Sequence, residues 1–478
     1  MSATVEPQRP TDWHVSPVVD VLAYHFSWLW ILVPLLIIGH EGAPGWFAVW
    51  AVGMTLGFTH RHFTMPYVYL DRQVFLQHWP RFVVVPAWLF AGFLATPLGW
   101  SWKVPAGFFG PADALAFAAM VFAGVHAWWL DRHGHSFSRP ALLAGALLPF
   151  VPLIGALIGA PAHAAVVALV LVGSVAAVAT QSRDALRGHA ATVGVALLAA
   201  IGLASMAVTA PAHAAFPFKL VISAVAVFSG AWNVWHVYMQ KFGILRMYAA
   251  KSQVPPEKRP PPWVDRLFVF GWVPLYFVVL SEVAKPLLAK HYASTKPWLF
   301  PLADVMIAGK PVLLPLGLLL AAASMAIWVF HEYRSYGLTN RARVSMALGT
   351  TGLNASFLFV PPVLAYMAYG VSHALEYMVF VWAFQRKRYA APLAHDPLLG
   401  RLLQHPWLAY GALLGIVGGL GFWLDFGDDV GLAPKPFVIL GTKAGSWLFY
   451  WTIWHSMAHF YFDGFLWKMR LPQVRQSL

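Results

Sequence analysis

The sequence contains no cysteine and few charged residues. Charged side chains make up 11% of the 478 residues, whereas a soluble domain has about 25%. The absence of cysteine excludes disulfides, cysteine-bound zinc, iron–sulfur clusters and thiolate-ligated haem. Any bound metal must therefore be held by histidine, carboxylate, amide or tyrosine side chains.

Hydrophobic residues make up 59% of the chain, and it has 24 tryptophans and 16 tyrosines, aromatic residues that suit the two interfaces of a bilayer. This composition predicts an integral membrane protein. Residues 1–10 lack the apolar core of a signal peptide, so we expect the first hydrophobic span to act as the insertion signal.

Window length predicts an all-α fold, a polytopic transmembrane helical bundle of about 14 spans. The predicted spans are 22–39, 45–59, 82–100, 112–130, 141–160, 162–180, 190–209, 215–238, 264–283, 311–331, 344–366, 367–385, 406–424 and 437–460.

The Lys and Arg residues predict the orientation of these spans. With both termini cytoplasmic, 24 of the 32 fall on the inner side and 8 on the outer side, as the positive-inside rule requires of a bacterial-type inner (plasma) membrane. The same rule explains the net charge of +13, so no nucleic-acid partner is expected. We predict a single integral membrane domain over 1–478, with halves 22–251 and 265–478 joined by a proline-rich cytoplasmic loop at 252–264.

The most specific local pattern lies in the last predicted span. His455, His459 and Asp463 are spaced by four residues and form one stripe on a helix. Two imidazoles at this spacing suit one metal ion, and the carboxylate one turn later either ligates the ion or orients a histidine. The alternative is an interfacial histidine pair with a solvated Asp463.

Further histidines fall near the cytoplasmic ends of other predicted spans. His236 shares a helix face with Gln240, whose amide suits a hydrogen bond to an imidazole or a bound water. The candidate ligands from these ends are His60, His62, His126 and His236. Solvated or carbonyl-bonded histidines at helix ends are the alternative interpretation.

His373 and Glu376 lie three residues apart and share a helix face, which allows both to bind one ion. An unpaired carboxylate at membrane depth costs several kcal/mol, so Glu376 needs a metal, His or Arg partner. We expect four further residues to surround the metal ligands and orient them without binding the ion: Gln240, His331, Glu332 and Tyr377. Glu376 and Asp463 are the candidate catalytic carboxylates.

Many imidazoles, a few carboxylates and no sulfur favour non-haem iron, with zinc or copper as alternatives. About eight candidate nitrogens suit two ions rather than one. Two irons of this type activate O₂ to attack an unactivated C–H bond, and a site at the membrane edge suits a membrane lipid or another lipophilic substrate.

The histidine cluster and the His455-x₃-His459 pair resemble the integral-membrane di-iron hydroxylases and desaturases. No HxxHH box is present. The resemblance implies an O₂-dependent oxidation of a fatty acyl, isoprenoid or sterol-like lipid, with electrons from a donor that the sequence does not identify.

Two other classes remain open. A proton- or cation-coupled transporter would use His373, Glu376, Glu282 and Asp304 to carry charge across the membrane. A haem protein would need two spans that each carry two histidines about four turns apart, and that arrangement is not found. The clustering of titratable groups at one surface favours the metal enzyme over both.

Overall fold

The computed structural model describes residues 12–39, 45–76, 218–279, 281–282, 296–390, 405–420, 438–439 and 442–467, with 82–83, 86–87, 89–90, 93 and 423. Nearly all of these residues are helical, which confirms the all-α prediction. Four predicted spans, 112–130, 141–160, 162–180 and 190–209, lie outside the described residues, and His126 lies there with them.

The helices are α1 (Pro17–Asp20), α2 (Leu29–Ile38), α3 (Trp46–Thr59), α4 (Phe218–Lys251), α5 (Pro262–Phe270), α6 (Lys296–Tyr336), α7 (Arg341–Phe359), α8 (Pro362–Arg388), α9 (Pro406–Leu413) and α10 (Ala444–Leu466). Shorter helical turns are Val21–His25, His60–His62, Pro66–Leu70, Pro256–Lys258 and Leu414–Gly418. Two-residue strands, β1 (Val438–Ile439) and β2 (Thr442–Lys443), pair antiparallel.

The chain divides into two compact units. Unit 1 comprises Met1–Leu70, Val227–Ala433 and His459–Leu478, and unit 2 comprises Asp71–Ala226 and Pro434–Ala458. In unit 1, α8 is the central helix and packs against α2, α3 and α7. In unit 2, the rings of Phe90 and Phe93 meet the ring of Trp451 edge to face.

Local sequence sets several helix ends. Prolines stand at the first positions of α5, α8 and α9, where a missing N–H costs no helical hydrogen bond. The Asn340 side chain accepts a hydrogen bond from the backbone N–H of Arg343 and caps α7. Before this cap, Gly337 and Leu338 have φ values of 60° and 62° and turn the chain between α6 and α7.

Several helices differ in length from the predicted spans. α4 and α6 have 34 and 41 residues and extend well past their apolar windows. The prediction divided 344–385 at residue 366, whereas the chain breaks at Val360 and Pro361, since a residue before proline disfavours the helical conformation. α5 begins at Pro262, inside the predicted loop 252–264.

A buried ion cluster joins α5, α6 and α7 in unit 1. The Arg343 guanidinium donates to both oxygens of Glu332 at 2.9–3.1 Å and to Asp265 Oδ1 at 2.7 Å, and all three side chains are fully buried. Asp265 also accepts from Trp328 Nε1 and from Arg246. Every charge in this cluster therefore has a partner of opposite sign.

Two described helices, Pro262–Val279 and Ala303–Tyr336, are long and apolar enough to cross a membrane. A third span of sufficient length and apolarity forms if Pro17–His25 and Leu29–Ile38 are taken together, with a bend of 60° at the break between them. Only 22% of the most apolar window of Ala303–Tyr336 is buried, so this helix exposes a long apolar surface. The count of 14 spans remains a prediction.

Candidate metal centre

Four imidazole rings meet in the interior of unit 1, from His60, His236, His373 and His459. Neighbouring ring centroids around this ring of four are 4.8, 4.9, 4.9 and 5.2 Å apart, and the His373–His459 diagonal is 6.3 Å. Neighbouring planes are inclined by 69–88°. We call these four side chains the imidazole cluster.

Each imidazole comes from a different part of the chain. His60 opens the turn that follows α3, His236 lies in α4, and His373 lies in α8. The fourth ring, His459, is in the part of α10 that belongs to unit 1. The cluster is therefore a product of tertiary packing around α8, and no single helix provides more than one of its rings.

The four rings are 0–5% exposed. Both nitrogens of His60, His373 and His459, and Nε2 of His236, have no hydrogen-bond partner among the described residues. Buried polar atoms in folded proteins are almost always paired, so this number of unpaired nitrogens at one point requires an explanation. A metal ion would supply a partner for one nitrogen of each ring that binds it.

The spacing of the ring centroids is close to that of imidazoles around one ion. With a metal–nitrogen bond of about 2.0–2.1 Å, a ring centroid lies about 3.2 Å from the metal. Rings at right angles around one ion are then about 4.5 Å apart, and opposite rings about 6.4 Å. The cluster spacings of 4.8–5.2 Å and 6.3 Å lie close to these values. The nitrogens converge less closely than the centroids, because His236 does not join His60 and His373 in one donor set.

Cluster residues take part in two sets of three possible metal ligands, and within each set the ligand atoms lie within 4.8 Å of one another. One set is His60, His373 and His459, and the other is His236, His459 and Asp463. His459 belongs to both sets, so the two sets form one continuous array of donors.

Asp463 is the carboxylate beside the cluster. Its Oδ2 is 3.6 Å from His236 Nε2 and 3.7 Å from His459 Nε2. Its Oδ1 accepts hydrogen bonds from the Tyr377 hydroxyl at 2.7 Å and from Trp467 Nε1 at 2.9 Å. One oxygen is therefore anchored while the other faces the imidazoles, which suits a ligand or an orienting group.

Tyr377 packs directly on the cluster. Its ring centroid is 4.7 Å from that of His459 and 5.9 Å from that of His60. Its hydroxyl is hydrogen-bonded to Thr64 as well as to Asp463. These contacts fix α8 against α10 at the level of the imidazoles.

Glu376 lies next to the cluster but its oxygens have other partners. Oε1 accepts from Lys241 Nζ and from Ser372 Oγ, both at 2.6 Å, and Oε2 accepts from Gln240 Nε2 at 3.2 Å. Gln240 Nε2 also lies 3.2 Å from the backbone carbonyl of His373. The structure therefore gives Glu376 a cationic partner, Lys241, and connects α4 to α8 through this pair.

Other candidate ligands are directed elsewhere. The His62 ring packs on Phe58, and its Nδ1 is 3.3 Å from the Phe58 carbonyl oxygen. The His455 ring stacks on Trp451 within unit 2. Neither residue belongs to a donor set found among the described residues.

His331 and Glu332, at the end of α6, also lie apart from the donor sets. The His331 ring meets the ring of Trp263 edge to face at 5.5 Å. Glu332 is held by Arg343 in the buried ion cluster. Both residues belong to the packing of α5, α6 and α7.

Sequence reasoning did not single out Thr64, Lys241 and Trp467. Trp467 continues the stripe of His455, His459 and Asp463 by one more step of four residues, which is a signal that the sequence offered. Lys241 follows Gln240 directly, and its pairing with Glu376 depends on the packing of α4 against α8. No local pattern predicts that pairing.

Comparisons of this chain with protein-family models, with curated proteins and with solved structures found no match. The function must therefore be inferred from the side chains themselves.

Proposed function

We propose that this chain is a membrane-embedded, non-haem metal oxidoreductase that uses O₂ to oxidise a lipophilic substrate. The observation that carries the proposal is the imidazole cluster, with four buried rings of which seven of the eight nitrogens have no hydrogen-bond partner among the described residues. Iron is the metal that we expect, since it accepts imidazole ligands readily and activates O₂ when bound. Zinc and copper are the alternatives.

The number of ions follows from the donors. The sequence favoured two irons because it counted about eight candidate nitrogens. The described residues form two sets of three donors, one of His60, His373 and His459 and the other of His236, His459 and Asp463. Because the two sets share His459, they support one ion at a time. Asp463 then either completes the ligand set or holds His236 and His459 in position.

The membrane setting supports a lipophilic substrate. The long apolar surface of Ala303–Tyr336 and its companion Pro262–Val279 suit a bilayer, and we infer a bacterial-type inner membrane from the distribution of basic residues. An enzyme in that position meets fatty acyl, isoprenoid and sterol-like lipids directly. Reduction of O₂ also requires electrons, which we expect from a separate donor protein or cofactor.

Metal analysis of purified protein tests the proposal. We expect about one iron per wild-type chain and a loss of metal in His373→Ala. His331→Ala is the matched control, because its ring packs on Trp263 outside the donor sets. Metal-free wild-type protein, or equal metal content in the two variants, would exclude the proposed centre.

A proton- or cation-coupled transporter is the second candidate. It is favoured by the buried Lys241–Glu376 ion pair, with side chains 2% and 0% exposed, since intramembrane charges often mark ion pathways. Proteoliposomes with a pH-sensitive dye inside separate the two candidates. Uptake that depends on Glu376 and does not require iron would support the transporter.

A further inference from the structure

Two oxidisable rings lead away from the imidazole cluster within unit 1. The first is Tyr377, whose ring centroid lies 4.7 Å from that of His459, and the second is Trp467, whose ring lies 6.5 Å from that of Tyr377. In a chain without cysteine, tyrosine and tryptophan are the side chains that give up a single electron most readily. We call Tyr377 and Trp467 the aromatic pair.

The polar atoms of the aromatic pair meet at one carboxylate oxygen. Asp463 Oδ1 accepts from the Tyr377 hydroxyl at 2.7 Å and from Trp467 Nε1 at 2.9 Å, and Trp467 Nε1 also lies 3.3 Å from the hydroxyl oxygen. A phenol that loses an electron becomes a strong acid, so its oxidation is favourable only where an acceptor takes the proton. Asp463 is such an acceptor, within hydrogen-bond reach of the phenol.

The surroundings of the aromatic pair shield a radical from water. Tyr377 is 2% exposed, and the rings of Phe380 and Phe384 meet the Trp467 ring edge to face at 5.3 and 5.0 Å. Phenylalanine is much harder to oxidise than tryptophan. An electron vacancy on Trp467 therefore does not pass to these two neighbours.

Trp467 is the outer member of the aromatic pair. It is partly exposed, and its ring stacks on Tyr67 at 5.5 Å with planes inclined by 19°. The Arg388 guanidinium lies over the Tyr67 ring at 5.4 Å, at the end of α8 where Arg386 and Lys387 are exposed. The pair thus connects the buried cluster to a basic surface, which suits a donor protein with an acidic face.

We propose that Tyr377 is a redox-active residue, and that the aromatic pair passes electrons singly from an external one-electron donor to the oxidised metal centre. This inference rests on the proposed function and adds the route of the electrons that O₂ reduction requires. It is carried by the position of one phenol, which is in ring contact with His459 and hydrogen-bonded to Asp463.

Each transfer conserves atoms and charge. Tyr377 gives one electron to the oxidised centre and its hydroxyl proton to Asp463, so the O–H bond breaks and a neutral phenoxyl radical remains. Trp467 then gives an electron to this radical while Asp463 returns the proton, which restores the phenol and leaves a tryptophan radical cation. The external donor reduces that radical cation, so one electron has moved inward and every bond is as before.

A photo-oxidant attached near Trp467 tests the proposal in protein freed of metal by a chelator. Because the chain has no cysteine, Gly464→Cys allows one ruthenium complex to be attached at a single position. Gly464 is exposed, lies three residues before Trp467, and a Cβ there meets no atom within 4 Å. Illumination with a sacrificial electron acceptor makes the complex a one-electron oxidant. We expect EPR to show a neutral tyrosyl radical that is lost in Tyr377→Phe, and transient absorption to show that it forms more slowly in Trp467→Phe.

Tyr461→Phe is the matched control. Tyr461 lies as far before the label along the chain as Trp467 lies after it, and its ring centroid is 6.0 Å from that of Phe462. The labelled Tyr461→Phe protein should give the full tyrosyl signal. The proposal is overturned if no tyrosyl radical forms, or if Tyr377→Phe keeps the signal.

Iron-loaded protein without the label separates this proposal from the proposed function. When it is mixed with O₂ in the absence of a donor and rapidly frozen, it should show the same radical, which is lost again in Tyr377→Phe. A photochemical radical at Tyr377 in protein that binds no iron would support a redox-active Tyr377 and count against the proposed function alone. Iron binding without a photochemical radical at Tyr377 would overturn the present proposal alone.

Discussion

Asp463 connects the imidazole cluster to its surroundings at the scale of single residues. Its two oxygens serve different groups, because Oδ2 faces His236 and His459 while Oδ1 accepts from Tyr377 and Trp467. Oδ2 lies 3.6 and 3.7 Å from the two Nε2 atoms, too far for a hydrogen bond but close enough for the carboxylate to join or support a metal held by these imidazoles.

We predict that Asp463→Asn lowers iron affinity by about 10–100-fold, the usual effect of losing a carboxylate that orients or supports metal-bound histidines. Asparagine keeps the shape and removes the charge. Competition against a chelator of known affinity measures the change. Asp304→Asn, on the exposed face of α6, serves as the control, and an unchanged affinity in Asp463→Asn would show that the carboxylate has no part in the centre.

The stripe formed by His455, His459 and Asp463 was visible in the sequence because it depends only on helical periodicity. The sequence did not show which residues of the stripe reach the cluster, because that depends on the helices that pack against each turn of α10. The same limit applies to Glu376. A carboxylate in an apolar span required a partner. The periodicity of the sequence does not show whether that partner of Glu376 is a metal ion or Lys241 on another helix.

At the scale of helices, α7 crosses the N-terminal segment at very short range. A Cβ added at Gly349 would overlap the backbone carbonyl oxygen of His25, so only glycine fits there. The contact also places the His25 ring, whose nitrogens bond to Ser345 and Tyr248. The lack of a side chain at Gly349 therefore allows α7 and the turn Val21–His25 to approach this closely.

We predict that Gly349→Ala destabilises the protein by about 2–4 kcal/mol, because the backbone of one element must move. Gly411→Ala in α9 is the control, since a Cβ at Gly411 meets open space and alanine favours a helix by up to about 1 kcal/mol. Thermal unfolding in a fixed detergent compares the two. Similar midpoints for both variants would contradict the close crossing.

The buried ion cluster gives a second prediction for helix packing. Arg343→Met should cost about 3–5 kcal/mol, because it leaves the carboxylates of Asp265 and Glu332 buried with too little compensation. Arg334→Met removes an exposed arginine from the same region and should change stability by less than about 0.5 kcal/mol. Denaturant or thermal unfolding measures both. A small effect of Arg343→Met would mean that water reaches the carboxylates.

Helix identity was predictable where an apolar window and a breaking signal coincide, as at α3, which spans Trp46–Thr59 against a predicted 45–59. The extensions of helices past the predicted spans were not, because scattered charged residues lower the hydropathy there. α4 continues to Lys251, and its final turns bury Ile244, Leu245 and Tyr248 in tertiary contacts that a sequence window does not contain.

At the scale of the whole molecule, a metal held by the imidazole cluster would stabilise the fold by connecting the segments that carry its ligands. A ligand that binds only the folded state stabilises it by RT ln(1 + [L]/Kd). We predict that iron at 100 times its Kd raises the free energy of unfolding by about 2.7 kcal/mol, and that a chelator removes this gain. His373→Ala should show the metal-free stability under both conditions, and an equal response to iron in the variant would contradict the prediction.

The presence of helices long and apolar enough to cross a membrane was predictable from composition, because it follows from summed hydropathy, which needs no knowledge of packing. The convergence of His60, His236, His373 and His459 depends on how the helices that carry them pack, and spacing along the chain does not encode it. The sequence placed all four among its candidates on different arguments: position at a cytoplasmic span end for His60 and His236, the stripe with Asp463 for His459, and the spacing from Glu376 for His373. The same arguments of position and stripe also selected His62 and His455, whose rings the structure directs to Phe58 and Trp451.

The wide separation of these four histidines along the chain has a consequence for biogenesis. α10, the last of the contributing helices in chain order, supplies its imidazole only after translation has passed it, so a nascent chain presents at most three of the rings. We expect metallation to be a late event that follows assembly of the polypeptide in the bilayer. Retention of iron would then distinguish finished molecules from stalled or truncated ones, a distinction on which cellular quality control is able to act.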